Sequence, residues 1–139
     1  MKVASPLVLV SALMFSIPSV AQPKLPVNCK GGANNCKVVI TMSAGCGSGI
    51  KVAPDPIVVE EANVNIVWVV QAPFWSFEDG GIFIHQANDA FAAPKKESST
   101  MVLVLNKGNR KGAFKYDITL RDTRPNGGVC KLDPTIVNQ

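Results

Sequence analysis

Histidine is almost missing from this sequence: His85 is the single one in 139 residues. One imidazole supplies too few nitrogen ligands for most histidine metal centres, and any Ser-His-Asp arrangement would have to use that position. No Gly-x-Ser-x-Gly nucleophile elbow is present. The glycine-rich residues 45–49 lack the Lys-Ser/Thr that completes a phosphate loop. There is no Cys-x-x-Cys pair of the kind zinc sites use, and no Asn-x-Ser/Thr acceptor for glycosylation. Charge is also sparse, at 17% of residues, with a formal net charge of +4. So mild an excess gives no concentrated basic footprint, so no nucleic-acid partner is expected. Lys107, Arg110 and Lys111, with Lys115 beyond them, read as a solvated hairpin tip. After the first 21 residues no second apolar run is long enough to span a bilayer.

What is present begins at the N-terminus. Lys2 gives a positive n-region, residues 3–17 an apolar h-region broken by Pro6, and Ser19-Val20-Ala21 the small residues a signal peptidase reads. Residues 1–21 are therefore expected to be a secretory signal peptide. Without Lys2 the net charge falls from +4 to +3. The expected location is secreted or periplasmic, with no integral membrane segment once the signal is removed.

That compartment decides how the cysteines are read. Cys29, Cys36, Cys46 and Cys130 form an even set in an oxidising environment, which argues for two disulfides over thiolate metal ligation. Three connectivities are open. Cys29–Cys36 with Cys46–Cys130 is preferred, because Gly31-Gly32 and Asn34-Asn35 suit the reversal that a short bridge needs.

The body shows strand signals and little helical periodicity, with alternation of period two in some stretches and short apolar runs in others. Strands are expected over 37–43, 57–60, 65–71, 82–84, 100–105 and 113–121. Residues 113–121 alternate most cleanly, with Phe114, Tyr116, Ile118 and Leu120 on one face. Residues 65–71 are nearly all apolar, which predicts a central strand buried on both faces. Residues 80–81 read as a turn, 97–100 as a loop and 106–112 as a hairpin loop. Residues 86–93 are the one stretch with helical-turn composition. About seven short strands separated by Gly, Pro and Asn clusters imply an all-β, two-sheet sandwich. The expected organisation is a signal peptide (1–21), an extended lead with a short disulfide loop (22–36) and one sandwich domain (37–139).

Residues 53–77 carry a recognisable order: Pro54-Asp55-Pro56 and an apolar strand, then Asn63-Val64-Asn65-Ile66-Val67-Trp68, then Phe74-Trp75-Ser76-Phe77. With Gly112-Ala113-Phe114-Lys115-Tyr116 later on, this resembles the cupredoxin family over residues 37–121. The resemblance implies a cupredoxin-like or Ig-like sandwich. It does not carry over a copper site, because the strand after Tyr116 continues Asp117-Ile118-Thr119-Leu120-Arg121 without Cys or His. Residues 132–138 also resemble the C-terminus of small uncharacterised exported bacterial proteins.

Among residues with chemistry to offer, Phe74, Trp75 and Phe77 form a candidate aromatic binding loop after Pro73. The alternative is a loop folded back to plug the sandwich. His85 with Met42 and Met101 is an alternative copper or other metal site, since exported proteins handle Cu(I) through Met and His. Glu60-Glu61 and Glu78-Asp79 are adjacent on the chain, so on strands they point to opposite faces and make poor catalytic dyads. The expected role is a non-enzymatic binding or structural one, without a cofactor, toward a protein or ligand partner that the sequence does not name.

Overall fold

The structure is a computed structural model that describes residues 23–30, 36–43, 45–47 and 49–139. The expected signal peptide lies outside the described residues. Among those residues there is no helix, and ten strands form: β1 (Cys36–Met42), β2 (Ile50–Ala53), β3 (Ile57–Val59), β4 (Val64–Val70), β5 (Trp75–Ile84), β6 (Lys95–Ser98), β7 (Met101–Asn106), β8 (Gly112–Asp122), β9 (Val129–Leu132) and β10 (Thr135–Asn138). They make two mixed sheets packed as a sandwich. The first has the order β2-β1-β4-β7-β6. The second has the order β3-β10-β8-β5, with β9 also paired to β8.

The all-β sandwich expectation holds, with more strands than the sequence pattern suggested. The additional ones are short, or polar enough to resemble loops. Strand β6 (Lys-Lys-Glu-Ser) is exposed throughout. It exists because β7 offers a free edge, and its charges suit an edge that must not recruit further strands. Residues 80–81 are not a turn. They lie within β5, where the pairing with β8 shifts register between Phe77 and Ile82. There a Cβ on Gly81 would sit 2.8 Å from the carbonyl oxygens of Glu78 and Thr119, so the bulge leaves room only for glycine. Residues 106–112 are not a hairpin loop either, because they carry the chain from β7 in the first sheet to β8 in the second. Residues 86–93 form turns and an isolated bridge, Phe91 to Asn106, and no helix.

The core lies where the two inner faces meet. Val38, Ile40, Ile66, Trp68, Val102 and Val104 from the first sheet pack against Phe77, Ile82, Tyr116, Ile118, Leu120 and Ile136 from the second. Polar links also cross this space. The Trp68 Nε1–H donates to Tyr116 Oη (3.2 Å), and the two rings meet edge to face at 5.4 Å. Asn106 and Asn138, both buried, exchange amide hydrogen bonds of 2.7 and 3.2 Å from the end of β7 to the end of β10.

Both disulfides also join the sheets. Cys29, which bridges to Val59 of β3, is bonded to Cys36 at the start of β1. Cys46, in the turn after β1, is bonded to Cys130 of β9. This is the pairing preferred from the sequence, and the Cα separations of 5.0 and 5.5 Å are ordinary for a bridge.

Candidate functional site

The two outer faces of the sandwich differ in chemistry. On the second sheet, β8 turns Lys115, Asp117, Thr119 and Arg121 outward, and nearly every charge there has a partner. Arg121 pairs with Glu78. Lys115 pairs with Asp133 at 3.5 Å and Lys131 with Asp117 at 3.9 Å. His85 Nε2 lies 2.9 Å from Asp117 Oδ1. Since an ionised carboxylate only accepts, the imidazole N–H is the donor. That bond, more than the Lys131 charge, holds the Asp117 carboxyl below its usual range.

The outer face of the first sheet is apolar. Its strand register builds two rows across the sheet. Lys37 pairs with Val67, Val67 with Leu103, and Leu103 with Lys95. In the next row Ala53 pairs with Val39, Val39 with Val69, and Val69 with Met101. Lys37, Val67, Val69, Glu97, Met101 and Leu103 line one open concavity. Met101 is 37% exposed, Val39, Val69, Leu103 and Leu105 are half-buried, and Val67 among them is 8% exposed. At the rim, Lys95 pairs with Glu97 at 2.8 Å. Among the described residues no ion pair engages Lys37 or Lys51.

This face departs from the expectation for residues 65–71. Strand β4 is central in its sheet, but only its Val64, Ile66, Trp68 and Val70 side faces the other sheet. On the other side Asn65 and Val69 are half-buried and Val67 is buried. The near-continuous apolar sequence called for two covers, and among the described residues only the second sheet packs against β4 as a strand layer.

The aromatic segment after Pro73 is a strand, not a loop. Trp75 opposes Asp122 and Phe77 opposes Leu120. Trp75 is 8% exposed and Phe77 only 2%, so both serve the core. Phe74 alone stands out, 61% exposed at φ +67°, with the Arg124 guanidinium 5.7 Å from its ring centre. Thr123 holds its carbonyl through both backbone N–H (2.7 Å) and hydroxyl (2.9 Å). Arg124 in turn forks onto Asp122 and depresses that carboxyl, chiefly by direct hydrogen bonding.

The residues present do not fit a blue-copper centre, which takes two His, a Cys and a weak axial ligand. All four cysteines are consumed by disulfides. His85 follows β5 of the second sheet and is bonded to Asp117, whereas Met42 and Met101 belong to β1 and β7 of the first. The candidate set His85, Met42 and Met101 is therefore not assembled. Among the described residues no three of His, Cys, Asp and Glu cluster in a way that would hold a metal.

Other acidic and basic residues are similarly dispersed. Asp79 pairs with Lys96 at 3.0 Å. Glu60 pairs with Lys24, whose hydrogen bond lowers the Glu60 carboxyl. In the basic cluster Lys111 donates to the Gln139 carbonyl, Lys115 to that of Asp133, and Arg110 sits 6.0 Å from the Phe114 ring centre. A groove of about 450 Å³ runs beside β5, walled by Phe83, Ile84, Phe91 and Pro94, and none of its lining residues is titratable. No helix among the described residues is long and apolar enough to cross a membrane. Against known protein-family models and curated proteins, the chain matches none.

Proposed function

We propose that this is an exported, non-enzymatic β-sandwich whose role is to bind, and that its contact surface is the outer face of the first sheet. One observation carries this reading: β4 and β7 turn a contiguous apolar stripe outward, whereas β8 of the opposite sheet turns out charges paired within the chain, beside the separate exposed side chains of Phe83 and Val129. Contiguous apolar surface of this kind marks contact sites on exported domains as on others. The two disulfides suit an oxidising compartment. The sandwich is taken as cupredoxin-like or Ig-like in type, with the sequence resemblance over 37–121 as its support.

A photo-crosslinking residue placed at Val69 or, as a control, at Thr119 on the opposite sheet tests the reading in cells that export the chain. Adducts are expected from position 69 and not from 119. No adduct from 69, or equal adducts from both, would overturn it. The intact mass of the exported chain is expected to begin at Gln22 and to be four hydrogens light, as two disulfides require. Free thiols or a retained leader would contradict export into an oxidising space.

A further inference from the structure

We infer that the free edge of β5 is a further binding site, which takes an extended peptide segment of another protein as an added antiparallel strand. The site is separate from the outer face of the first sheet and goes beyond the role proposed above. Strand β5 ends its sheet: it pairs with β8 on one side and, among the described residues, with no strand on the other. Bonded and non-bonded pairs alternate along an antiparallel ladder. His85 N–H donates to the Lys115 carbonyl (2.9 Å), so the bonded pairs are His85 with Lys115 and Phe83 with Asp117. The Tyr116 N–H accordingly turns away from β5, to the Pro134 carbonyl at 3.1 Å. Ile84, which opposes Tyr116, and Ile82, which opposes Ile118, therefore turn their N–H and C=O groups toward the free edge.

Farther back along that edge the chain supplies its own partners. Trp75 N–H donates to the Ala72 carbonyl (3.4 Å) and Phe77 N–H to the Ser99 carbonyl (2.7 Å). The Phe77 carbonyl accepts from Lys96 Nζ at 3.0 Å. Beyond them opens the groove of about 450 Å³, lined by Ile82 and Ile84 on one side and by Ala87, Phe91, Ala92 and Pro94 on the other. The far wall is fixed in place. Ala92 N–H donates to the Leu105 carbonyl (2.9 Å), and the Phe91 ring meets Phe114 edge to face at 5.0 Å. Pro94 has no N–H, so a strand cannot pair with the wall there. The exposed edge strand β6 is guarded by Lys95, Lys96 and Glu97, whereas Ile82-Phe83-Ile84 carries neither charge nor proline.

The occupant follows from the partial charges on these backbone groups. An N–H and a C=O, repeated two residues or about 6.8 Å along, are complementary to a second extended backbone. Three residues in antiparallel register satisfy all four groups, with main-chain bonds giving affinity as in other strand additions. Directly opposed side chains lie on the same face of a sheet. The first and third residues of the segment therefore enter the groove beside Ile82 and Ile84, which are buried, and the middle one lies beside the exposed Phe83. No charged side chain lines the groove. The segment recognised thus reads apolar-x-apolar, with its charges outside those two positions.

Amide hydrogen exchange of the purified chain, followed by NMR with the peptide acetyl-Ser-Val-Thr-Val-Ser-amide, tests this. With peptide at about ten times its Kd, exchange at Ile82 and Ile84 is expected to slow about tenfold. Phe83, already bonded to Asp117, is expected to stay as it was. N-methylation of both valines removes the donors that reach β5 and is expected to weaken binding by about tenfold or more. N-methylation of the threonine, whose N–H points away from β5, is expected to change little. Unaltered exchange at Ile82 and Ile84, or a greater loss from the methylated threonine than from the methylated valines, would overturn the inference. Protection of both amides before peptide is added would overturn it too, because the chain or a second copy would then already fill the groove. The result is independent of the crosslinks from position 69, so either site stands if the other fails.

Discussion

Tyr116 is the one tyrosine of the chain, and it is fully buried. Burial pushes its phenol well above the usual value, so the hydroxyl stays protonated and available to Trp68. Tyr116→Phe leaves the Trp68 N–H buried without an acceptor, which is expected to lower stability by about 1–3 kcal/mol in a denaturant titration. A loss much below that would mean the indole finds another partner. Asp117 permits a test by pH. A carboxyl depressed in the folded state contributes stability that is complete above its unfolded pKa and lost as pH falls through the folded one. The window lies below about pH 4. Asp117→Asn is therefore expected to be less stable than the wild type near neutrality, the gap closing as the buffer is acidified through that window. Thermal melts across the acid range would show it. A gap that persists in strong acid would point to packing instead of charge.

At the scale of the element, the strands legible in the sequence are those with a strong period of two or an apolar run: β1, β3, β4, β7, β8 and the last residues of β5. Strand β8 was the clearest, and its inward set of Phe114, Tyr116, Ile118 and Leu120 is buried as the alternation requires. Strands β2, β6, β9 and β10 are not legible, because four residues carry little periodicity. Pro73 suggests a loop where the N-terminal half of β5 begins. One residue, Phe74, makes the turn in a left-handed conformation, and the Trp75-x-Phe77 alternation after it was already a strand signal. The candidate site had a trace too. Residues 65–71 and 100–105 are more apolar than a one-sided sheet needs. Which side would lie open depends on the topology, and composition does not encode that. A lysine at position 69 is expected to change stability little, because the side chain already points outward, while it abolishes contacts at the face. Thermal denaturation and crosslinking together distinguish this from a collapsed strand.

At the scale of the whole molecule, two sheets of modest size are held by a shared apolar core and by cross-sheet ties. Among these ties are Cys29–Cys36, Cys46–Cys130, Trp68–Tyr116, Asn106–Asn138 and Lys96 to Phe77 and Asp79. Cys46–Cys130 closes the larger loop, with a sequence separation of 84. On the chain-entropy account, replacing both cysteines by serine is expected to destabilise the fold by about 4–5 kcal/mol. The corresponding change at Cys29 and Cys36, seven residues apart, is expected to have a smaller effect. Equal losses in equilibrium unfolding would contradict that ordering.

The central claim, that the outer face of the first sheet is the contact surface, is tested most directly by oxidative footprinting of Met101. Its side chain sits on that face and is open to oxidant in the free chain. Phe83, 57% exposed on the opposite sheet, serves as the internal reference. Oxidation of Met101 is expected to be slowed in cells that produce the chain and restored when the purified chain is diluted, with Phe83 reacting alike in both. Met101 equally reactive in the two settings, or protection at Phe83 instead, would contradict the account.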